Sequence, residues 1–258
     1  MTHDGATEMA PASGGADTQW HPVTRSRSHE LVLDQIEEQI LAGALRVGDR
    51  LPGERNLASQ LQVSRSAVRE AIRILEAQGV VRSTVGSGKD AGTVVSAMPS
   101  QALTRLLRLH VALANFPILD VIDARVMLER SSATLAAENA SSEDLEAMRA
   151  ALDGMERPDV SQGAFNDFDT AFHVAIAEAS GNRLVADMTI ALRNSMRRPI
   201  LHALRALGSD WERVADQLRA DHRAVLAAIE AEDGALAAER VDHHIRTAHA
   251  TLALTSQA

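Results

Sequence analysis

Four side chains in the C-terminal half have the types and spacing of a metal site. Asp169 and His173 are four residues apart, so on a helix they share one face. His222 lies on an apolar helical stripe, and in "VDHHI" the helical phase directs His244 inward and His243 outward. One carboxylate and three inward imidazoles suit a divalent ion of borderline softness, so we expect zinc, with nickel or manganese as alternatives. The competing interpretation is ordinary core histidines bonded to backbone carbonyls, with Asp169 as a surface acid.

An arginine on an apolar helix face indicates a bound anion. Arg125 has Val121, Ile122 and Leu128 as its neighbours at i−4, i−3 and i+3. A buried guanidinium needs a carboxylate, and its fork of N–H donors suits a bidentate one. The sequence leaves two partners open: Glu129, four residues further along the same helix, or the carboxylate of a ligand.

A second group of residues, near the N-terminus, has the chemistry of DNA recognition. Arg65, Arg69 and Arg73 recur every four residues, so on a helix they project from one side. Arg65 and Arg69 fall in the first two turns, from which an arginine can bind O6 and N7 of guanine. The alternative is a solvated charged face in which Arg69 or Arg73 pairs with Glu70 or Glu76.

Neighbouring polar residues extend this predicted DNA contact. Ser64 and Ser66 lie at the start of the same helix, where hydroxyl and backbone N–H groups suit phosphate. Arg55 opens the preceding helix and could reach the DNA backbone or a base. The set predicts binding to double-stranded DNA.

The elements that must position these arginines form a winged helix-turn-helix. Helices are predicted over 28–43, over "GERNLASQL" and over 65–78, with Ser64 as the N-cap of the third. The β-branched runs "VVRSTV" and "GTVVS" flank a Gly-rich loop and predict a hairpin. Three helices followed by a hairpin place the third helix in the major groove.

After Pro99 the pattern changes to one helix after another, so the fold class is mainly α. These helices are predicted near 100–114, 117–139, 142–156, 161–179, 182–207, 210–231 and 234–254. We therefore divide the chain into a mobile tail at 1–27, a DNA-binding domain at 28–98, and a helical domain at 99–258 that binds ligand and metal and dimerises.

Composition limits the class of function. The chain of 258 residues has no cysteine, which excludes disulfides, thiolate metal sites and cysteine nucleophiles. Its net charge is −9, but residues 23–98 carry ten basic and nine acidic residues, whereas residues 99–258 carry 16 and 23. Of these two segments, only residues 23–98 could approach the phosphates of a nucleic acid. No apolar run approaches the roughly 20 residues of a membrane span, and no secretory signal is recognised, so we expect a cytoplasmic protein without a membrane partner.

The N-terminal segment resembles the DNA-binding domain of the GntR family of bacterial regulators, over about residues 30–96. "LPGERNLASQLQVSRSAVREAIRILEAQGVV" is similar to the family pattern Leu-Pro-Ser-Glu-Arg-x-Leu-Ala, then Val-Ser-Arg-x-x-Val-Arg-Glu-Ala, then a Leu and a Gly. Gly53 replaces the usual serine, and the longer wing makes Lys89 the candidate for the minor groove. The resemblance places DNA contacts at Arg55, Ser64, Arg65, Ser66, Arg69 and a wing around Gly86 and Gly88.

The C-terminal region resembles the FCD ligand-binding domain of the FadR-type branch of that family. The segments "DARVMLE", "FNDFDTAFHVAIAEASGN" and "DHRAVLAAIEAEDGALAAERVDHHI" carry this resemblance. It implies an antiparallel helical bundle, a carboxylate effector on or near a metal, and Arg125 in the effector pocket. Asn182 matches the family's "GN" and joins the effector residues, although it is also an ordinary N-cap. The implied metal ligands are Asp169, His173, His222 and His244.

These observations predict a bacterial, nucleoid-associated transcriptional regulator, and favour a repressor controlled by a small carboxylate. A homodimer on a near-palindromic operator is expected, because one recognition helix contacts only a few base pairs. One alternative is a metal-dependent enzyme, such as a hydrolase, fused to a DNA-binding module. Another is an architectural DNA-binding protein with an inert dimerisation domain, against which the inward arginine and histidines argue.

Overall fold

The N-terminal part of the chain is a winged helix-turn-helix, as the sequence predicts. A computed structural model describes residues 28–84, 92–96, 99–113 and 115–252. Strands β1 and β2 pair antiparallel, with Val81 opposite Val95, and Arg50 adds one bridge to Val94. The elements are α1 (Ser28–Leu41), α2 (Glu54–Gln60), α3 (Arg65–Ala77), β1 (Val81–Thr84) and β2 (Gly92–Val95).

Helix α3 has a complete apolar face and a defined start. Val68, Ala71 and Leu75 on this face are fully buried. The Ser64 side chain accepts a hydrogen bond from the backbone N–H of Ala67 at 3.2 Å and so caps the helix. The burial of one face leaves the opposite face, which carries the arginines, to solvent.

Helix α1 ends two residues earlier than predicted. The chain leaves it through Gly43 at φ +71°, a left-handed conformation that glycine adopts without a side-chain clash. Val32 and Ile36 are buried, but Leu31 and Leu41 are 52% and 87% exposed. The buried stripe of α1 is therefore narrower than its hydrophobic spacing suggests.

The C-terminal part is all helical, and each predicted boundary lies within two residues of the observed one. A short 3-10 turn at Gly208–Asp210 precedes α9. Its α-helices are α4 (Pro99–Ala112), α5 (Ile118–Asn139), α6 (Ser142–Met155), α7 (Gln162–Ala179), α8 (Arg183–Ala206), α9 (Trp211–Glu230) and α10 (Gly234–Leu252).

Ion pairs between α5 and α10 show how the bundle is arranged. Arg130 near the middle of α5 pairs with Asp242, whereas Asp123, earlier in α5, pairs with Arg246, later in α10. The two helices therefore run antiparallel. Helix α8 packs along both α7 and α4, so it joins the interior of the bundle to the helix that follows the winged helix.

Among the residues that the structure describes, the buried hydrophobic ones form two separate clusters. One lies among α1, α2, α3 and the hairpin, and the other lies among the C-terminal helices. The second cluster is mostly aliphatic, with Phe165 and Phe172 as its fully buried aromatic residues. In the described part of the chain, no helix is both long and apolar enough to cross a membrane.

Candidate DNA interface and metal centre

The exposed face of α3 presents the residues that the sequence singles out for DNA. Arg65 and Arg69 are exposed in its first two turns. The hydroxyls of Ser64 and Ser66 lie 2.9 Å apart at the helix start. Arg55 is exposed in the first turn of α2. These five residues therefore occupy the solvent-facing side of the helix-turn-helix, where a duplex has access to them.

Arg69 forms an ion pair with Glu54, the first residue of α2. Its Nη2 donates to Oε2 of Glu54 at 2.9 Å, and its Nε lies 3.2 Å from the same oxygen. The hydrogen bond from Arg69 lowers the pKa of Glu54, and this outweighs the opposing effect of partial burial. Glu54 therefore places a carboxylate near Arg65, Arg69 and Arg73, which together form the arginine face of α3.

The alternative pairing of the arginine face is wrong for Arg69 and holds for Arg73. Arg73 lies 3.8 Å from Glu70, the partner that helical spacing allows. Glu76 instead accepts a hydrogen bond from the backbone N–H of Ser83 in β1, at 2.7 Å. The partner of Arg69 lies on another helix, which the spacing within α3 could not reveal.

The wing residues predicted to contact DNA are Gly86, Gly88 and Lys89. They lie outside the described residues, so the contacts assigned to them remain predictions.

The four predicted metal ligands meet in the interior of the helical bundle. One donor atom from each of Asp169, His173, His222 and His244 lies within 4.8 Å of the other three. Asp169 Oδ1 is 3.1 Å from Nε2 of His222 and 3.8 Å from Nε2 of His173. All four are buried, whereas His243 is exposed, as the helical phase predicts.

Glu129 on α5 links this cluster to Arg125. Its Oε2 lies 2.6 Å from Nδ1 of His173, and its Oε1 accepts a hydrogen bond from Nε of Arg125 at 2.9 Å. Burial raises the pKa of Glu129, but the charges of Arg125 and His173 lower it further and hold it well below its usual range. A carboxylate on Nδ1 leaves Nε2 of His173 for a metal, as is common in metal sites.

Burial favours the neutral form of two of the histidines. It lowers the pKa of His222 well below its usual range, and the neighbouring charge of His173 acts in the same direction. The pKa of His244 is likewise lowered by burial and by His222, although Asp221, 3.7 Å away, opposes the shift. A neutral imidazole is the form that binds a metal.

A second buried arginine, Arg193 on α8, lies beside the cluster. Its Nη2 contacts Oδ2 of Asp169. Its Nε and Nη1 are buried and have no hydrogen-bond partner among the residues that the structure describes. Burial and the charge of Arg125 lower the pKa of Arg193 to about 9. Buried donors without partners are rare because each loses its hydration, so a bound anion would supply the missing acceptors.

A small cavity of about 30 Å³ lies beside the two arginines. A water molecule needs roughly 10–15 Å³ of such volume, so about two waters would fit. One wall is apolar, and its Phe165 packs edge-on against Trp211 with ring centroids 5.2 Å apart. The lining includes Arg125, Asp169, Arg193, His244, Phe165, Ile200 and Leu204, with Ala248, His249 and Leu252 from the end of α10.

Asn182 does not line this cavity. It is exposed, and its side-chain oxygen accepts the backbone N–H of Val185 at 3.2 Å as the N-cap of α8. This is the ordinary capping role that the sequence left open. The structure therefore does not bring Asn182 together with Arg125, the other predicted effector residue.

Arg193 is not among the residues predicted from the sequence, although its helix carries a signal for it. Thr189 and Met196, at i−4 and i+3, are buried, and Ile200 at i+7 lines the cavity. Arg193 therefore lies on the buried side of α8, and the same kind of position on α5 is what singled out Arg125. By contrast, the contact of Glu129 with His173 joins two helices and leaves no pattern in the sequence.

Comparison with known proteins gives two family matches. Residues 29–89 match the family described as bacterial regulatory proteins, gntR family, and residues 120–247 match the FCD domain. The chain is 30% identical over 207 residues to the HTH-type transcriptional regulator LutR of Bacillus subtilis (strain 168), covering 79% of this chain and 91% of that protein. It is also 30% identical over 194 residues to the HTH-type transcriptional repressor NanR of Cronobacter sakazakii (strain ATCC BAA-894), covering 73% and 72%.

A solved structure supports the fold. Streptococcus agalactiae GntR superposes with a TM-score of 0.56 at 22% identity, covering 86% of this chain and 99% of that one. At this identity, the likeness shows a shared fold.

Proposed function

Because this chain belongs to the GntR family of bacterial regulatory proteins and contains an FCD domain, we propose that a small carboxylate in its C-terminal domain controls its binding to operator DNA. The chain is a DNA-binding transcriptional regulator. The relatives named above are regulators rather than enzymes, so the hydrolase alternative has no support.

The ligand proposal rests on Arg193, whose Nε and Nη1 have no hydrogen-bond partner within the described part of the chain. Arg125 already has a carboxylate partner in Glu129, whereas Arg193 contacts just one carboxylate among the described residues, that of Asp169, through Nη2. A ligand carboxylate can accept a hydrogen bond from Nη1 of Arg193, whereas Nε, on another edge of the guanidinium, needs a separate oxygen from the ligand or from water. Arg193 is thus the main anchor for the ligand, and Arg125 lines the same cavity.

A divalent metal is proposed beside this cavity, whose lining includes two of the four candidate ligands, Asp169 and His244. Asp169, His173, His222 and His244 would hold it, because they offer one oxygen and three nitrogens that converge on one point. This donor set suits zinc best, with nickel or manganese as alternatives. When bound, the metal would act as a Lewis acid that attracts the oxygens of the ligand.

The dimensions of the cavity favour a short acid. Its volume of about 30 Å³ holds only a few atoms before the walls move. A two- to four-carbon hydroxy or keto acid places its carboxylate on Arg193 while adding little apolar bulk. Lactate, pyruvate and citrate form a graded set of probes for this preference.

On the DNA side, Arg65 and Arg69 are proposed to contact bases, with Ser64, Ser66 and Arg55 on phosphates. Their exposure on one face of the helix-turn-helix supports this assignment. The wing contacts at Gly86, Gly88 and Lys89 are proposed from sequence alone.

We further propose that the active species is a homodimer on a near-palindromic operator and that the ligand releases it. Two recognition helices are needed for a site long enough to be specific. Leu106 and Leu109 on α4, and Leu113 just after its last residue, are each more than half exposed and offer an apolar surface for a second copy. The Cronobacter sakazakii relative is named a repressor, which supports release as the direction of control.

The experiment compares two arginines of α8. Wild type, Arg193→Gln and Arg197→Gln are titrated onto a duplex enriched from a random-sequence pool, with and without each acid. Arg197 is the matched control, because it is half exposed and pairs with Asp167 on the surface. We expect the acid to weaken DNA binding by wild type and Arg197→Gln, and to leave Arg193→Gln unaffected.

A full response to the acid in Arg193→Gln would overturn the assignment of Arg193. No response of the wild type to any acid would overturn control by a short carboxylate. DNA affinity of Arg193→Gln without acid, together with its melting temperature, separates either result from a folding defect.

A further inference from the structure

The contact between Glu54 and Arg69 uses one edge of the guanidinium and leaves another edge open. Arginine has five N–H donors. Glu54 faces Nε and Nη2 of Arg69, at 3.2 Å and 2.9 Å. The remaining donors on Nη1 and Nη2 form an end-on fork on the far side from the carboxylate. That fork can bind a guanine through O6 and N7.

We propose that Glu54 is a positioning residue for base recognition: it holds the guanidinium of Arg69 so that its free end-on fork meets a guanine. This inference rests on the proposed contact of Arg69 with DNA. The side chain of Arg69 is 54% exposed and lacks the packing that would otherwise fix its rotamer. The carboxylate on the neighbouring helix supplies that restraint.

The charge of Glu54 contributes a second effect. Its carboxylate lies within the field of Arg65 and Arg73 as well as Arg69. A negative charge on a face that meets DNA repels phosphates, so it weakens binding to every sequence. By lowering non-specific affinity while orienting Arg69, Glu54 raises the ratio of specific to non-specific binding.

Two other roles for Glu54 make different predictions. A carboxylate can accept a hydrogen bond from N4 of cytosine and so contact a base itself. It can also be a surface ion pair between α2 and α3, which would contribute little to stability and nothing to specificity. A double-mutant cycle with Arg69 separates these roles.

The experiment measures discrimination, the ratio of affinities for the pool-enriched duplex and for the same duplex with its guanines changed one at a time. The variants are Glu54→Ala, Glu54→Gln, Arg69→Ala and the double variant Glu54→Ala/Arg69→Ala. Glu70→Ala is the matched control. It removes the same charge from the exposed surface of α3, and its partner is Arg73 at the longer distance of 3.8 Å.

We expect Glu54→Ala to lose about five- to tenfold in discrimination at one guanine, which is part of what a complete arginine–guanine contact supplies. Glu54→Gln keeps an acceptor for Nε and should lose less. Non-specific affinity should rise in Glu54→Ala, Glu54→Gln and Glu70→Ala alike, while Glu70→Ala keeps its discrimination. In the Arg69→Ala background, the change at Glu54 should have no further effect on discrimination.

Three results would overturn the inference, and each would indicate a different role for Glu54 or Arg69. Unchanged discrimination in Glu54→Ala with a loss in Arg69→Ala means that Arg69 needs no positioning. A further loss in the double variant means that Glu54 contacts a base itself. Unchanged discrimination in Arg69→Ala removes the base contact on which the inference rests, and with it that part of the proposed function.

Discussion

At the scale of single residues, the neighbours His243 and His244 test the metal site with one pair of variants. His244 is buried in the cluster and His243 is exposed. Metal bound only to the folded state adds stability by mass action. We expect His244→Ala to lose bound metal and to melt at a lower temperature than the wild type, and His243→Ala to do neither.

Metal content by mass spectrometry and melting with and without a chelator measure both effects. Full metal content in His244→Ala would contradict the ligand set. A chelator that leaves the melting temperature unchanged in the wild type would contradict the metal itself.

The lowered pKa values of His222 and His244 set a pH dependence for the metal-free protein. Below about pH 6.5 the unfolded chain binds protons at these histidines, while the folded chain still excludes them. The unfolded state then binds more protons, so the free energy of unfolding must fall as the pH falls through this window.

Denaturant titrations between pH 7.5 and pH 5, in the presence of a chelator, measure this loss of stability. The exposed His243→Gln variant should show the same fall, because it leaves His222 and His244 in place. A metal-free stability that stays level across this range would contradict the neutral burial of the two histidines.

A side-chain contact could be predicted from the sequence only where both residues lie on the same helix. Helical spacing predicts that the side chains of Asp169, His173 and His244 point inward. It also gives Glu129 as one of the two partners considered for Arg125. The convergence of Arg193 on Asp169, or of Glu54 on Arg69, depends on which helices are neighbours in space. No periodicity in one segment contains that information.

At the scale of elements, the packing of α6 against α7 depends on a glycine. A Cβ atom built at Gly154 would lie 2.4 Å from the ring of Phe168, well inside contact distance. Gly163, in the first turn of α7, meets only Ser161 Oγ at 3.9 Å. We expect Gly154→Ala to destabilise the protein by about 1–3 kcal/mol through overpacking.

Gly163→Ala is the control and should be neutral or stabilising, because alanine favours a helix by up to about 1 kcal/mol over glycine. Thermal or urea unfolding of both variants measures the difference. Equal stability of the two variants would mean that Phe168 moves aside without cost.

The helix boundaries were predictable because their signals are local. Ser161 and Asn182 cap α7 and α8 through their side chains, and Gly234 opens α10 where the chain turns. The cavity was not predictable, because it depends on how α7, α8, α9 and α10 pack around it. Pro199 lies inside α8: proline usually ends a helix, yet the helix predicted over 182–207 is continuous through it in the structure.

At the scale of the whole molecule, the proposed dimer can be tested through the leucines of α4. Leu109 is 55% exposed on α4, between Leu106 and Leu113, which follows the last residue of the helix. A charge placed in a buried apolar interface is costly. We expect Leu109→Glu to sediment as a monomer and to bind the enriched duplex more weakly than the wild type, which should sediment as two chains on one duplex.

Leu41→Glu is the matched control, because Leu41 is 87% exposed on α1 and does not belong to this group of leucines. It should remain dimeric. A dimeric Leu109→Glu would place the interface elsewhere, and a single chain per duplex in the wild type would contradict the dimer.

The edge-on pair of Phe165 and Trp211 gives the molecule an optical reporter. Phe165 lines the cavity, and the chain has two tryptophans and no tyrosine, so its ultraviolet emission comes from Trp20 and Trp211. A Trp20→Phe variant would confine the emission to an indole in contact with the cavity wall. Stopped-flow fluorescence could then time the arrival of the acid against the release of a labelled duplex, and so determine which of the two events comes first.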